Sequence, residues 1–207
     1  FCVVELSSFY LDIIKDRLYC EEADGLPRRS AQTALWLILD TMTKIFAPIL
    51  AFTCDEIWQA MPHRDGDDPR NVLLNEMNKP FAEYALDEDA MAAWDKLVKV
   101  RDTVNGALET ARNEKKIGKS LEAKVDLTVP QELANQKFMD ADELADLLIV
   151  SQVRVSTGTE VNVQVEPAQG AKCERCWKIL PSVGGDSEHP ALCARCAKVV
   201  RKLDVTL

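Results

Sequence analysis

CERCWKILPSVGGDSEHPALCARC, running from Cys173 to Cys196, carries two C-x2-C pairs separated by sixteen residues. Each pair brings two thiols to the tip of a tight turn, and two such turns supply the four soft ligands that a tetrahedral Zn2+ takes at about 2.3 Å. The spacing predicts one structural zinc per chain, held by Cys173, Cys176, Cys193 and Cys196. Four thiolates close the coordination shell, so this metal holds shape and makes no bonds. Few large apolar residues accompany the cysteines, Trp177, Ile179, Leu180 and Leu192 among them. Metal binding is therefore expected to supply the folding free energy of this segment. An iron–sulfur centre remains the alternative occupant. A disulfide framework suits secreted proteins, and nothing in the sequence indicates secretion. His189, in the intervening loop, reads as an ordinary loop residue beside four available thiolates.

Trp177 directly follows Cys176 and is flanked by Arg175 and Lys178. An aromatic plane between two cations is the combination that stacks an unpaired base and neutralises phosphate. A second reading stays open, in which the ring lids the metal site and packs on a neighbouring unit.

The 207 residues as a whole are 47% hydrophobic and 29% charged, which excludes collagen-like and disordered classes. No window approaches the roughly 18 uninterrupted apolar residues of a spanning helix, so no membrane partner is expected. The length favours two or three structural units. Cys2, Cys20 and Cys54 stand beside apolar residues in helical text and read as small buried hydrophobes in a reducing cytosol. The formal charge is -9, yet it is uneven: residues 1–100 carry -8 and 125–166 carry -6, whereas 101–124 carry +2 and 167–207 carry +3. Local basicity on an acidic scaffold suits a small polyanion contact and fits poorly with coating of DNA. Solvated faces are the plainer reading of the same charges.

Residues 1–20 place Val4, Phe9, Leu11, Ile14 and Leu18 at helical spacing, with no initiator Met and no capping residue before them. This reads as a helix cut open, part of a longer polypeptide. Ser30 is expected to cap a second helix through Leu35, Leu39, Met42 and Phe46, and Pro48 to open a third through Trp58. Residues 62–80 read as a loop. A long helix follows from about Asp87 to the basic stretch Arg112–Lys116, stopped by Gly118. Four such helices make a bundle over 1–117.

Beyond Gly118 the period shifts from near 3.6 to 2: Leu121, Ala123, Val125, Leu127 and Val129 alternate with polar residues up to Pro130. Short helices at about 131–137 and 141–148 follow, then Val153 and Val155, the turn Thr157-Gly158-Thr159, and Val161, Val163 and Val165, a pattern that predicts a hairpin. The fold expected is therefore multi-domain and mainly α: a helical bundle (1–117), a small α+β junction domain (118–167) and a four-cysteine zinc ribbon (168–207). No Walker loop, dinucleotide turn, G-x-S-x-G or H-E-x-x-H is present, and the acidic runs read as solvated loops. An autonomous enzyme is not expected.

FYLDIIKDRLY (Phe9–Tyr19), RRSAQTAL (Arg28–Leu35), FAPILAFTCDEIW (Phe46–Trp58), the stretch Arg112 to Ala123, and the terminal C-x2-C-W with C-x-R-C resemble, in order, the C-terminal portion of bacterial isoleucyl-tRNA synthetases. The helical part alone is similar to the anticodon-binding domains of other class I aminoacyl-tRNA synthetases, and the appended ribbon singles out the isoleucyl type. The resemblance implies a cytoplasmic, monomeric parent in which this region holds the anticodon stem-loop of isoleucine tRNA. It implies ATP chemistry only in a catalytic domain absent from these residues, so the stretch itself is expected to be non-catalytic. Arg112, Lys115, Lys116, Lys119, Arg175, Trp177 and Lys178 are the expected tRNA contacts, chosen by local charge and, for Trp177 alone, also by the motif. Two alternatives stand beside this one. The ribbon also resembles the zinc finger of formamidopyrimidine-DNA glycosylases, and ribbon and bundle together could serve as a protein-docking module.

Overall fold

In chain order the elements are a π-helical stretch (Cys2–Tyr10), α1 (Leu11–Ile13), α2 (Lys15–Cys20), α3 (Leu26–Phe46), α4 (Ala51–Ala60), α5 (Glu88–Asn113), β1 (Ala123–Pro130), α6 (Gln131–Ala134), α7 (Ala141–Leu147), β2 (Gln152–Gly158), β3 (Asn162–Pro167), β4 (Ala171–Lys172), β5 (Ile179–Leu180) and α8 (Ala194–Lys202). The computed structural model describes residues 1–203. The chain forms two compact units, one of residues 23–85 and the other of residues 1–22 with 86–203. The helical text is thus divided between them.

In the smaller unit α3 starts at Leu26, four residues before the Ser30 expected to cap it, because Pro27 occupies its first turn. There the fixed φ of proline is already helical and its missing N–H is not needed. Pro48 likewise does not open α4. It lies in a turn closed by the Leu50 amide on the Phe46 carbonyl at 2.8 Å, and α4 begins at Ala51. Ala47, Cys54, Trp58 and Val72 form the small core. Trp58 Nε1 donates to the Asp68 carbonyl at 3.2 Å, so the loop through residues 62–80 is pinned to α4. A buried polar cluster secures it further. Asp40 and Lys44, one turn apart on α3, pair at 3.0 Å, and Asn78 donates to Asp40 at 2.7 Å. Burial pushes the Asp40 carboxyl up, but hydrogen bonds from Asn78, Lys44 and Arg64 outweigh it and hold the group below the usual carboxylate range.

In the larger unit Asp87 caps α5 by accepting from the Ala90 amide at 2.8 Å. Its buried stripe is Leu97, Val100, Val104, Leu108 and Ala111, a three-to-four repeat. The stop is Lys115, three residues before the expected Gly118. Lys115 turns left-handed at φ 60° while the Lys116 amide reaches back to the Ala111 carbonyl at 2.9 Å, the bonding of a Schellman cap. Phe9 meets Trp94 edge-on at 5.9 Å and lies under Arg101 at 4.7 Å, which anchors the N-terminal segment to α5.

The sheet differs from the sequence expectation in its pairing. β2 and β3 do not form a hairpin. The order is β2-β1-β3, with β1 parallel to β2 and antiparallel to β3. Val125 faces Val153 on one side and Val165 on the other, and Leu127 faces Val155 and Val163. The physical reason lies in β1, whose alternate residues Ala123, Val125, Leu127 and Val129 are all fully buried. A strand that apolar needs the centre of the sheet, while the half-buried valines of β2 and β3 suit its edges. α7 fills the crossover between the parallel strands, with Leu144 and Leu148 on the same core.

Lys115→Gly should raise the midpoint of thermal unfolding, with a gain of about 0.5–1 kcal/mol from relief of the left-handed cap; thermal melts followed by circular dichroism check it.

Candidate metal centre and nucleic-acid interface

The first cysteine pair sits on the turn between β4 and β5, which pair antiparallel. The Cys173 amide donates to the Lys178 carbonyl and the Trp177 amide to the Cys173 carbonyl, each at 2.9 Å, and Trp177 closes the turn at φ 65°. The second pair sits at the start of α8: Cys193 is its N-cap residue and Cys196 lies in its first turn. The Glu174 amide donates to the Ala191 carbonyl at 3.1 Å and the Cys193 amide to Cys173 Sγ at 3.3 Å, so the two turns are hydrogen-bonded together.

All four sulfurs lie within 4.8 Å of one another, all four residues are buried, and Cys176 Sγ and Cys193 Sγ are 3.9 Å apart. A tetrahedron with bonds of about 2.3 Å has edges of about 3.8 Å, so this donor set fits a zinc ion. The N-terminus of α8 and Arg175 Nη1, 3.7 Å from Cys196 Sγ, add positive potential to the site. Hydrogen bonding to Cys193 and Cys196 pushes the Cys176 thiol far up, while hydrogen bonds from Cys176 and Cys193 pull Cys196 down. Cys20 packs beside it without joining the four: its thiol donates to the Arg175 carbonyl at 3.7 Å, and burial pushes it up to about 11.

Three of the ribbon's cations, Arg175, Lys178 and Arg195, are half-buried against the rest of this unit. Arg175 Nη1 donates to the Cys20 carbonyl at 2.5 Å and Nη2 to the Tyr19 carbonyl at 3.2 Å, closing the end of α2. Arg195 grips Asp16 with both terminal nitrogens and reaches Glu21 at 2.9 Å. Burial pushes Asp16 up, but Arg195 outweighs it and keeps the carboxylate below its ordinary value. Lys202 pairs with Glu22 at 2.6 Å, and Lys178 pairs with Asp146 of α7 at 2.5 Å. Ser151 Oγ accepts from the Ile179 amide at 2.6 Å, tying β5 to the start of β2.

Of the expected nucleic-acid contacts, Trp177 is 62% exposed, which sets aside its role as a lid. Lys172, missed from sequence, lies 5.9 Å from the Trp177 ring centroid. Glu122 is held below its usual range chiefly by the Gly118 and Lys119 amides, with Lys119 and Lys172 adding to the effect. Leu121, which follows the basic segment, lines one cavity with Trp177, so that segment runs near the first knuckle. Lys115 and Lys119 are exposed, and Lys116 forms an exposed pair with Glu114 at 2.7 Å. Arg112 is turned to local structure, pairing with Glu109 and donating to Ser120 Oγ at 2.9 Å. Arg175 and Lys178 do not flank the Trp177 ring as free cations. The acidic segment 125–166, which contains the Lys178 partner Asp146, was a cue for Lys178, whereas the main-chain carbonyls that hold Arg175 leave no mark in the sequence.

Residues 1–127 match the family model of the anticodon-binding domain of tRNA ligases. The chain belongs to that family. Residues 170–199 match the zinc finger found in FPG and IleRS. Over 97% of its length the chain is 46% identical to an isoleucine–tRNA ligase of Syntrophotalea carbinolica and 44% identical to one of Dichelobacter nodosus; over 98% it is 42% identical to one of Geobacillus thermodenitrificans. It spans about 22% of the length of these curated relatives. The resemblance to the isoleucyl type is borne out. The zinc-finger match is shared with glycosylases, whereas the match over residues 1–127 is not, so neither the glycosylase nor the docking alternative is favoured. No described helix is long and apolar enough to cross a membrane.

Cys173→Ser and Cys196→Ser should each drop the zinc content, measured by elemental analysis, from one per chain to well below it. Backbone amides of 168–203 should then lose protection while those of β1 keep theirs. Arg195→Ala should retain zinc but loosen the ribbon by about 1–3 kcal/mol, the range of a charge-assisted hydrogen bond, read as faster hydrogen exchange in α8.

Proposed function

We propose that this chain is the tRNA-binding C-terminal region of an isoleucine–tRNA ligase. It grips the anticodon stem-loop of isoleucine tRNA while the ATP-dependent aminoacylation takes place in domains outside this sequence. The observation that carries the reading is the pairing of an anticodon-binding family match over residues 1–127 with a zinc-finger match over 170–199, in a chain aligned almost end to end with isoleucine–tRNA ligases. The parent enzyme is read as cytoplasmic and monomeric. Functionally the chain divides into an anticodon-binding helical region (1–117), a junction (118–167) and a ribbon (168–207).

One structural zinc, bound by Cys173, Cys176, Cys193 and Cys196, keeps the knuckle rigid. The exposed Trp177 ring then offers a stacking plane on a backbone that does not have to be ordered when RNA arrives. Lys115, Lys116, Lys119 and, from the structure, Lys172 are the phosphate contacts that set register around it. Arg112, Arg175 and Lys178 support this surface through their bonds to Ser120, Cys20 and Asp146.

Trp177→Ala should weaken binding of an isoleucine tRNA by about 5- to 150-fold, the range of one lost base stack, with zinc content and melting unchanged. Gel shifts against a noncognate tRNA and a DNA duplex test the reading, and absence of any preference for tRNA at moderate salt would refute it.

A further inference from the structure

Three cysteines stand outside the four-sulfur set, and the structure treats them differently. Cys2 is exposed, against the buried position expected for it, and Cys54 belongs to the core of the smaller unit. Cys20 packs with Cys173, Cys176, Cys193 and Cys196 in one buried cluster. Its thiol donates at 3.7 Å to the Arg175 carbonyl, the oxygen of the peptide group that joins Arg175 to Cys176. In return, Arg175 Nη1 donates to the Cys20 carbonyl at 2.5 Å and lies 3.7 Å from Cys196 Sγ. The last residue of α2 is thereby held against the first knuckle from both directions.

A zinc ion with four thiolates has no use for a fifth sulfur. What sets Cys20 apart from an ordinary small core residue is that a free thiol stands beside metal ligands and within reach of solvent. Cys20 and Cys176 both line the cavity of about 540 Å3 that opens beside the knuckle. Cys176 is 8% exposed, whereas Cys173, Cys193 and Cys196 are at 1% or less. A small oxidant entering by that cavity meets one metal ligand and one free thiol. A bridge between two of the four ligands would take two donors from the ion at once, and a bridge to Cys20 takes only one.

We propose that Cys20 is a resolving thiol for the zinc site: hydrogen peroxide oxidises Cys176, and Cys20 captures it as a Cys20–Cys176 disulfide that frees the metal. The switch rests on the zinc reading above and is independent of what Trp177 binds. The Cys176 sulfur attacks one peroxide oxygen, the O–O bond breaks, and Cys176 becomes a sulfenic acid while the departing hydroxide takes a proton from solvent and leaves as water. The Cys20 sulfur then attacks the Cys176 sulfur. The S–S bond forms, the S–O bond breaks, and a second hydroxide leaves with the Cys20 proton as water. Together the two sulfurs give up two electrons, and the peroxide is reduced to two waters. Only three thiolates then face the ion, the ribbon loses the folding free energy that metal binding supplies, and a dithiol restores both cysteines by exchange.

Zinc is first counted on the reduced chain, and its absence there would refute the metal reading and the switch together. Hydrogen peroxide is then added to the zinc-loaded chain beside a chromophoric chelator, followed by peptide mapping without reductant. One zinc per chain should be released, peptides joined through Cys20 and Cys176 should appear, and dithiothreitol with added zinc should return the full metal content. Cys20→Ala should hold one zinc before oxidation. After the same dose its Cys176 should react with dimedone and pass on to sulfinic acid, so that most of its zinc is not regained with dithiothreitol. Bridges confined to the four ligands, seen in the unsubstituted chain without recourse to any variant, would overturn the switch and leave the zinc site standing. So would a Cys20→Ala chain that regains its zinc as fully as the unsubstituted one.

Discussion

Arg195 and Asp16 are separated by 179 positions, and their two-toothed ion pair joins the last helix of the chain to one of its first. Around it, Arg175 closes the carbonyl end of α2 and Lys202 reaches Glu22, so the ribbon is fixed on residues 16–22 by charge and hydrogen bonding. With so little apolar content the ribbon docks through polar contacts of this kind, joined by Lys178 on Asp146 and by the Ile179 amide on Ser151. Paired charges at partly buried positions hold geometry even where their net contribution to stability is modest. The surface presented by Trp177 is rigid because of this clasp as well as because of the four cysteines.

The same clasp explains which parts of the molecule were legible in the sequence. Regular features whose cause is local could be read: the long α5 stripe, the period-two β1, and the double C-x2-C whose sulfurs the fold gathers within 4.8 Å. Features decided by residues far away could not. Arg175 and Lys178 looked like free cations because the groups they bind, the Tyr19 and Cys20 carbonyls and Asp146, lie 32 to 156 positions away. Counting charge by segment did hold a usable clue, since an acidic N-terminal segment and a basic C-terminal one are complementary.

The sheet gives a second case of competition between a local signal and a global one. Thr159 to Val161 make a short link that serves equally as a hairpin loop or as a passage over the end of β1 to its far edge. What decides is that β1 buries every second residue completely and must be flanked on both sides, whereas neither β2 nor β3 does so. Lys115 is comparable: a glycine nearby suggested where α5 would stop, but the Schellman bonding to Ala111 imposed the left-handed turn on a lysine.

A chain with a formal charge of -9 is an unlikely partner for a polyanion until its charges are sorted by what they touch. Acidic groups at Asp16, Glu21, Glu22 and Asp146 are engaged with ribbon cations, which removes both signs from the field felt by a ligand. What remains outward is Lys172 beside the Trp177 ring, with Lys115 and Lys119 exposed in the segment before β1, on otherwise acidic scaffolding. Within a Debye length of about 8 Å at physiological salt, a phosphate responds to that local set, and the distant acidic surface is screened. Attraction confined to so small a set suits a short contact better than sliding along a backbone, which needs a broad positive surface.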